Sequence, residues 1–272
     1  MAVPNWVRIA FLLLSFASFL PQLHRLWLYQ DSSGISLYYV LFNLIVATEL
    51  LTIDVAILTG VEESGVFVHR PASFGDHLNL AQFGTIWALW VLMLIVCVVF
   101  YPRDESRNVP WKVWAIYTTY LLISLIPIII VEASHSPRQD RRWFDALFLG
   151  FHTYCLNPII TLLGVAALYA QARTIRARPE GSGLGALSLV GLASQAVVFL
   201  VLGLMWPGRL VWPFPIFGGA LFAWIQMVGF VLIDYIIFAV VQGDLLYVGL
   251  QHMGRRIGFD EINRAGEREP LL

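Results

Sequence analysis

Seven stretches of this chain are long enough and apolar enough to cross a lipid bilayer. They lie near residues 6–28, 35–60, 80–101, 111–131, 146–170, 185–206 and 213–241. A hydrocarbon core ~30 Å thick takes about 20 residues of α-helix. Lipid offers backbone groups no water, so each stretch must satisfy its own N–H and C=O groups by coiling into a helix. The links are short, the longest running from about 61 to 79. The expectation is an all-α membrane protein with a seven-helix domain over 1–242 and a polar tail over 243–272. The first stretch lacks a basic flank and an A-x-A site, and a second span follows it. It therefore reads as a span rather than a cleaved leader.

Composition removes the main alternatives. The 272 residues are 58% hydrophobic and 13% charged, against roughly 25% charged in soluble domains. The mean hydropathy is +0.73. Too few polar residues are present to cover a globule in water, which argues against a soluble enzyme or a disordered scaffold. A net charge of −1 argues against capture of nucleic acid or any other polyanion. Cys97 and Cys155 both fall in apolar runs, with neither a disulfide framework nor zinc spacing. Both are expected to be small buried core residues, and no metal or cofactor is expected. Arg and Lys divide eleven to six between the two sets of links, counting the C-terminal tail with the larger set. That bias predicts a cytosolic C-terminus and a lumenal or external N-terminus.

A repeat is visible at an offset of 171 − 22 = 149. Residues 19–40 read FLPQLHRLWLYQDSSGISLYYV, and 168–189 read LYAQARTIRARPEGSGLGALSL. Gln22 pairs with Gln171, Asp31 with Glu180, Ser33 with Ser182, Gly34 with Gly183 and Ile35 with Leu184. The first segment joins spans one and two, and the second joins spans five and six. Two parallel three-helix units follow, at 6–101 and 146–241, joined by a linker helix at 111–131 (a 3+1+3 plan). An odd linker is what two such units need to share one orientation. Pro21 frees a backbone carbonyl one turn earlier and predicts a kink. Gln22 can bond freed backbone or a neighbouring helix, and the Ser-Gly turn permits a short reversal.

The first of these motifs, with Pro21, Gln22, Gly34, Ile35, Ser36 and then Asn43 within FNL, resembles the PQ-loop family. That family includes cystinosin and the lysosomal cationic amino acid exporters, and more distantly SWEET-type sugar carriers and KDEL receptors. The second motif departs from the pattern, with Ala170 in place of Pro and Gly185 in place of the turn's final Ser. Pro158, about three turns earlier, would supply a different kink. The resemblance implies two units that rock about hinges at Pro21, Gln22, Gln171 and Pro158, with substrate near the midplane between them. It also implies that Asp234, in the last span, couples transport to protons.

Ionisable groups inside spans are functional candidates by default. Asp234 stands in GFVLIDYIIFAVV, with no cation in its span. A carboxyl removed from water can bind and release a proton rather than stay ionised. Span two holds Asn43, Glu49 and Asp54. Asn43 and Asp54 fall within about 20° of one helix face and Glu49 falls off it. One acid is expected to line a cavity and the other to pack against a helix. His152 and Asn157 are the polar candidates of span five, and Gln195 and Gln226 are weaker ones in spans six and seven. No charged cluster reads as a clamp for a carboxylate or a guanidinium. Trp6, Trp27, Trp111, Trp114, Trp206 and Trp212 lie near span ends, as interfacial belts do. His69 and His77 read as solvated loop residues.

The chain ends E-R-E-P-L-L. Glu267 with Leu271 and Leu272 fits an acidic dileucine signal, which clathrin-type adaptors read as an extended peptide. The expectation is therefore a carrier rather than an enzyme. It would be a proton-coupled exporter (a symporter) of a small polar solute, an amino acid, from a vacuole or lysosome. The alternatives are a sorting receptor or membrane organiser, and a passive sugar facilitator.

Overall fold

The structure, a computed structural model, describes residues 3–60, 68–69, 71–102, 108–134, 138–179, 184–210, 221 and 224–266, with the backbone alone over 138–140, 226–227 and 255–266. Among the described residues the elements are all helical. Seven helices are long and apolar enough to span a membrane. They are α1 (Asn5–Tyr29), α2 (Leu37–Thr59), α3 (Phe74–Val99), α4 (Asn108–Ala133), α5 (Arg141–Arg176), α6 (Leu189–Arg209) and α7 (Phe230–Gly254). The chain is an integral, multi-pass membrane protein.

Local chemistry sets the boundaries, and several differ from the sequence expectation. α3 begins at Phe74 rather than near 80, because Ser73 and Asp76 form a reciprocal capping box. His77 therefore lies in the first turn of α3, and His69 bonds Asp76 through Nδ1 at 3.1 Å. α4 is interrupted at Ser124, whose amide and hydroxyl both donate to the Tyr120 carbonyl, at 3.0 and 2.8 Å, a back-bonding pattern that bends helices. α5 contains a π turn at His152–Leu156, directly before Asn157-Pro158. A second π turn, Ile225–Gly229, precedes α7. The last helix continues unbroken to Gly266, so the tail expected from 243 begins as helix. Leu245, Leu246 and Val248 keep that helix apolar past Gly243 and Asp244, and Leu245 is fully buried. α1 runs through Pro21 as one continuous helix.

Helix α3 packs against both α1 and α2, and α7 packs against both α5 and α6. The two triplets meet where α1 touches α6 and α2 touches α5. α4 stands outside, against α2. Lipid removes most of the hydrophobic drive for helices to associate, so close packing and interhelical hydrogen bonds hold the bundle. Aromatic rings fill its middle. Phe19 of α1 meets Trp90 of α3 edge-on at 5.3 Å and Phe199 of α6 at 6.3 Å. Phe238 of α7 closes the group against Trp90 at 5.9 Å and Phe199 at 4.4 Å. Such pairs contribute about 0.5–1.5 kcal/mol each beyond their buried area. The linker helix is fastened by tyrosine hydroxyls. Tyr117 accepts from Trp87 Nε1 at 3.0 Å, and Tyr120 donates to Glu49 of α2.

Candidate functional site

The polar side chains collect at three levels of the bundle. At the first end, the turns between α1 and α2 and between α5 and α6 lie against each other. Gln22 reaches out of α1 to the second turn, where its Nε2 donates to the Ala186 carbonyl and its Oε1 accepts from Ser188 N, both at 2.8 Å. Gln171 reaches out of α5 to the first turn, where its Nε2 donates to the Gly34 carbonyl at 2.7 Å and its Oε1 accepts from Ser36 N at 2.8 Å. Each glutamine thus clasps the turn of the opposite triplet. Arg25 Nε adds a bond to the Gly185 carbonyl at 3.1 Å, and Arg178 donates to the Ser33 hydroxyl at 2.8 Å.

This geometry corrects the gapless register of the repeat. Ser36 and Ser188 are the N-caps of α2 and α6. They stand 188 − 36 = 152 residues apart, whereas the glutamines stand 149 apart. The second connection is three residues longer. Ser188, not Gly185, takes the place of the turn's final serine. Gly34 and Gly185 both have positive φ, at 91° and 60°. A Cβ on Gly34 would lie 2.3 Å from the Leu184 carbonyl oxygen, and one on Gly185 would lie 2.1 Å from that of Ser33. The turns touch backbone to backbone, which requires glycine. Glu180, Ser182 and Gly183 lie outside the described residues.

The middle level holds two buried acids, Glu49 and Asp234. Glu49 is fully buried, accepting from Tyr120 of α4 and facing His152 Nδ1 of the α5 π turn at 2.8 Å. Glu49 and His152 thus form one group with the linker helix, apart from Asp54. Asp234 is also buried, and its Oδ1 accepts from the Thr161 hydroxyl of α5 at 2.6 Å. Its Oδ2 has no hydrogen-bond partner among the described residues. Asp234 therefore sits within the second triplet, between α5 and α7. The seam between the triplets is occupied instead by its neighbour Tyr235, whose ring stacks on Phe83 of α3 at 6.2 Å. Asn43 turns back on its own helix, its Nδ2 donating to the Tyr39 carbonyl at 2.8 Å. Asn157 is buried at the head of the helix that carries Pro158, with its Oδ1 unpartnered among the described residues.

At the opposite end, a cavity opens between α2, α3, α6 and α7. Asp54, Ile53, Phe83, Trp206, Val228 and Val231 are among the residues that line it. Trp206 is buried here, donating from Nε1 to the Val228 carbonyl at 3.1 Å, and does not sit in an interfacial belt. Trp6, Trp27 and Trp111 are the exposed ones, and Trp212 lies outside the described residues. Beside the cavity, Arg209 is 2% exposed, and its Nη1 donates to Gln82 Oε1 at 2.6 Å. Arg8 ties the start of α1 to this end through the carbonyls of Gly75, at 2.8 Å, and Arg209, at 3.0 Å. Sequence reasoning counted Arg209 only as a charge and passed over Tyr235, Gln82 and Thr161. No motif marked them, and only the packing of distant helices brings them in.

Cys97 is buried as expected, but Cys155 is exposed on the surface of the π turn. Gln195 is buried in α6. The backbone of Gln226 lies in the π turn before α7, and its side chain is outside the described residues, as are Glu267, Leu271 and Leu272. Scanned against family models, curated proteins and solved structures, the chain matches none.

Proposed function

We propose that this protein is a proton-coupled secondary carrier. In this reading it exports a small polar solute, an amino acid, from an acidic organelle such as a vacuole or lysosome. The observation that supports it best is the carboxyl of Asp234. It is buried in a membrane-spanning helix, bonded by Thr161 through one oxygen and, among the described residues, without a donor to the other. A carboxylate so placed is costly. A proton from the lumen would remove that cost, and its release on the other side would restore it. The cost thereby links protonation to whichever packing of α5 against α7 is preferred.

The crossed clasp of Gln22 and Gln171 supports the rest of the cycle. It ties two similar helix triplets together at one end, where a rocking motion must break or remake contacts. The PQ-loop-like motif at residues 21–36 points the same way. The tail would reach cytosolic adaptors through Glu267, Leu271 and Leu272, provided that the C-terminus faces the cytosol.

The test is solute flux in vesicles reconstituted with the full chain, using solid-supported-membrane currents across amino acids and sugars. An acid gradient should stimulate amino-acid current in the natural sequence, and Asp234→Ala should abolish that stimulation. Undiminished gradient dependence in Asp234→Ala would remove the coupling role. Sugar flux indifferent to the gradient would identify a passive facilitator instead.

A further inference from the structure

The carrier reading uses one buried acid, Asp234, and leaves a second group of titratable side chains without a task. Glu49 of α2 and His152 of α5 meet inside the bundle, with side chains 0% and 1% exposed. Both carboxyl oxygens lie within reach of the ring, at 2.8 and 3.0 Å from Nδ1. Oε2 also accepts from the Tyr120 hydroxyl of the linker helix α4. Three helices thus converge on one carboxyl. The groups around it are known by name. Tyr117 stands beside Tyr120 on α4 and accepts from the Trp87 indole of α3. Asp234 of α7 lies within electrostatic range of Glu49. Among the described residues no Arg or Lys forms an ion pair with Glu49, so the imidazole is its basic partner.

The π turn brings the ring to this place. Its closing bond runs from the Asn157 N–H to the His152 carbonyl, five residues back instead of four. The ring stacks on Phe148 at 4.1 Å and meets Phe151 edge-on at 5.9 Å. A cation over an aromatic face is attracted by it. A carboxylate can only accept hydrogen bonds, so Nδ1 must donate to Glu49. That choice fixes the tautomer and leaves Nε2 as the atom that takes a proton. Before loading, the pair carries one negative charge. After loading, it is a neutral ion pair with the bonding that a buried pair requires. The Tyr120 and Nδ1 donors serve Glu49 in both states, so a proton enters and leaves without any of these bonds breaking. Asp234, with Thr161 alone bonded to it among the described residues, lacks such a matched set.

We propose that Glu49 and His152 form a second proton-binding site in the membrane, loaded at His152 Nε2 and separate from Asp234. Tyr120 makes the linker helix a member of this site as well as a spacer between the triplets. The proposal deepens the carrier reading, to which it adds a second proton, and rests on that reading for its place in transport. Proton binding itself can be measured without transport.

The experiment is ring-nitrogen NMR on the full chain in lipid nanodiscs, with its six histidines labelled with nitrogen-15. The His152 signal is the one that survives when each of the other histidines is replaced in turn by Gln. In the natural sequence this ring should carry one proton at about pH 8 and two at about pH 5. Glu49→Gln keeps an acceptor for Nδ1 but removes the charge, and its His152 ring should keep a single proton at the lower pH. Asp234→Asn should leave the loading of His152 as it is in the natural sequence. A ring in the natural sequence that holds the same number of protons at both pH values would overturn the proposal, and this measurement decides alone if Glu49→Gln fails to fold. Normal loading in Glu49→Gln would also overturn it, as would loss of loading in Asp234→Asn. The dyad and the carrier reading fail separately. Acid-driven flux with a ring that never loads sinks only the dyad, and a ring that loads without flux sinks only the carrier.

Discussion

Both ends of the bundle bury polar side chains, but they treat them differently. At the turn end, Gln22 and Gln171 each use both amide atoms, and the four backbone groups they meet come from the opposite triplet. At the cavity end, Arg209, Tyr235 and Asp54 keep atoms unpartnered among the described residues. A satisfied network specifies one packing. An unsatisfied one carries a cost that the surrounding packing must offset. The contrast makes the turn end a fastening, whereas the cavity end is held by fewer bonds among the described residues. It also predicts that substitutions of polar side chains cost more stability at the first end than at the second.

The largest loss should come from the point where the two turns touch. Gly34→Ala places a methyl group 2.3 Å from a backbone oxygen, at a φ of 91°. No flexible side chain can move aside, so the turns must separate. A loss on the order of 3–5 kcal/mol is expected, read as a fall in the thermal midpoint of the detergent-purified protein. A neutral outcome would mean that the turns do not pack backbone to backbone, and the fastening would lose its basis.

Next comes a comparison within one helix. Glu49 and Asp54 lie five residues apart on α2, yet Glu49 meets both Tyr120 and His152. Glu49→Ala should cost about 3 kcal/mol, since it strips two buried groups of their partner. Glu49→Gln, which keeps an acceptor, should cost less than half of that. Equal losses for the two variants would show that charge rather than bonding holds the linker helix to α2.

How much of this could be read beforehand follows from the range of the forces involved. Spans were legible because the hydrophobic thickness of a bilayer acts on each stretch separately. The motif around Pro21 and Gln22 was legible because it is contiguous, and Gln171 followed from the offset. The partner of each glutamine was not, because a three-residue insertion hid the equivalence of Ser36 and Ser188. The start of α3 was written in Ser73-Phe74-Gly75-Asp76, a capping pattern overlooked in favour of hydropathy. Arg209 and Tyr235 were illegible in principle. Neither is unusual in its own segment, and their surroundings are set only once helices distant in sequence have packed.

Breaking one arm of the clasp should have a smaller effect than crowding the turns. Gln22→Ala leaves the Ala186 carbonyl and the Ser188 amide unpaired, a loss of about 1–3 kcal/mol. Gln171→Ala should match it, and the double variant should fall short of the sum, because both arms hold the same pair of turns. Additive losses would mean that the two halves of the clasp act independently, with no shared hinge between the triplets.

The smallest effect on stability should come from the acid of α2 that lines the cavity. Asp54 Oδ2 accepts nothing among the described residues, so Asp54→Asn breaks no bond there at that oxygen. The thermal midpoint should stay within about 0.5 kcal/mol of the natural sequence, or rise. Unmoved stability at this position would be the mirror image of what Gly34→Ala should show. If Asp54→Asn instead unfolds the protein, the acid is part of the scaffold, and the two ends of the bundle are fastened alike.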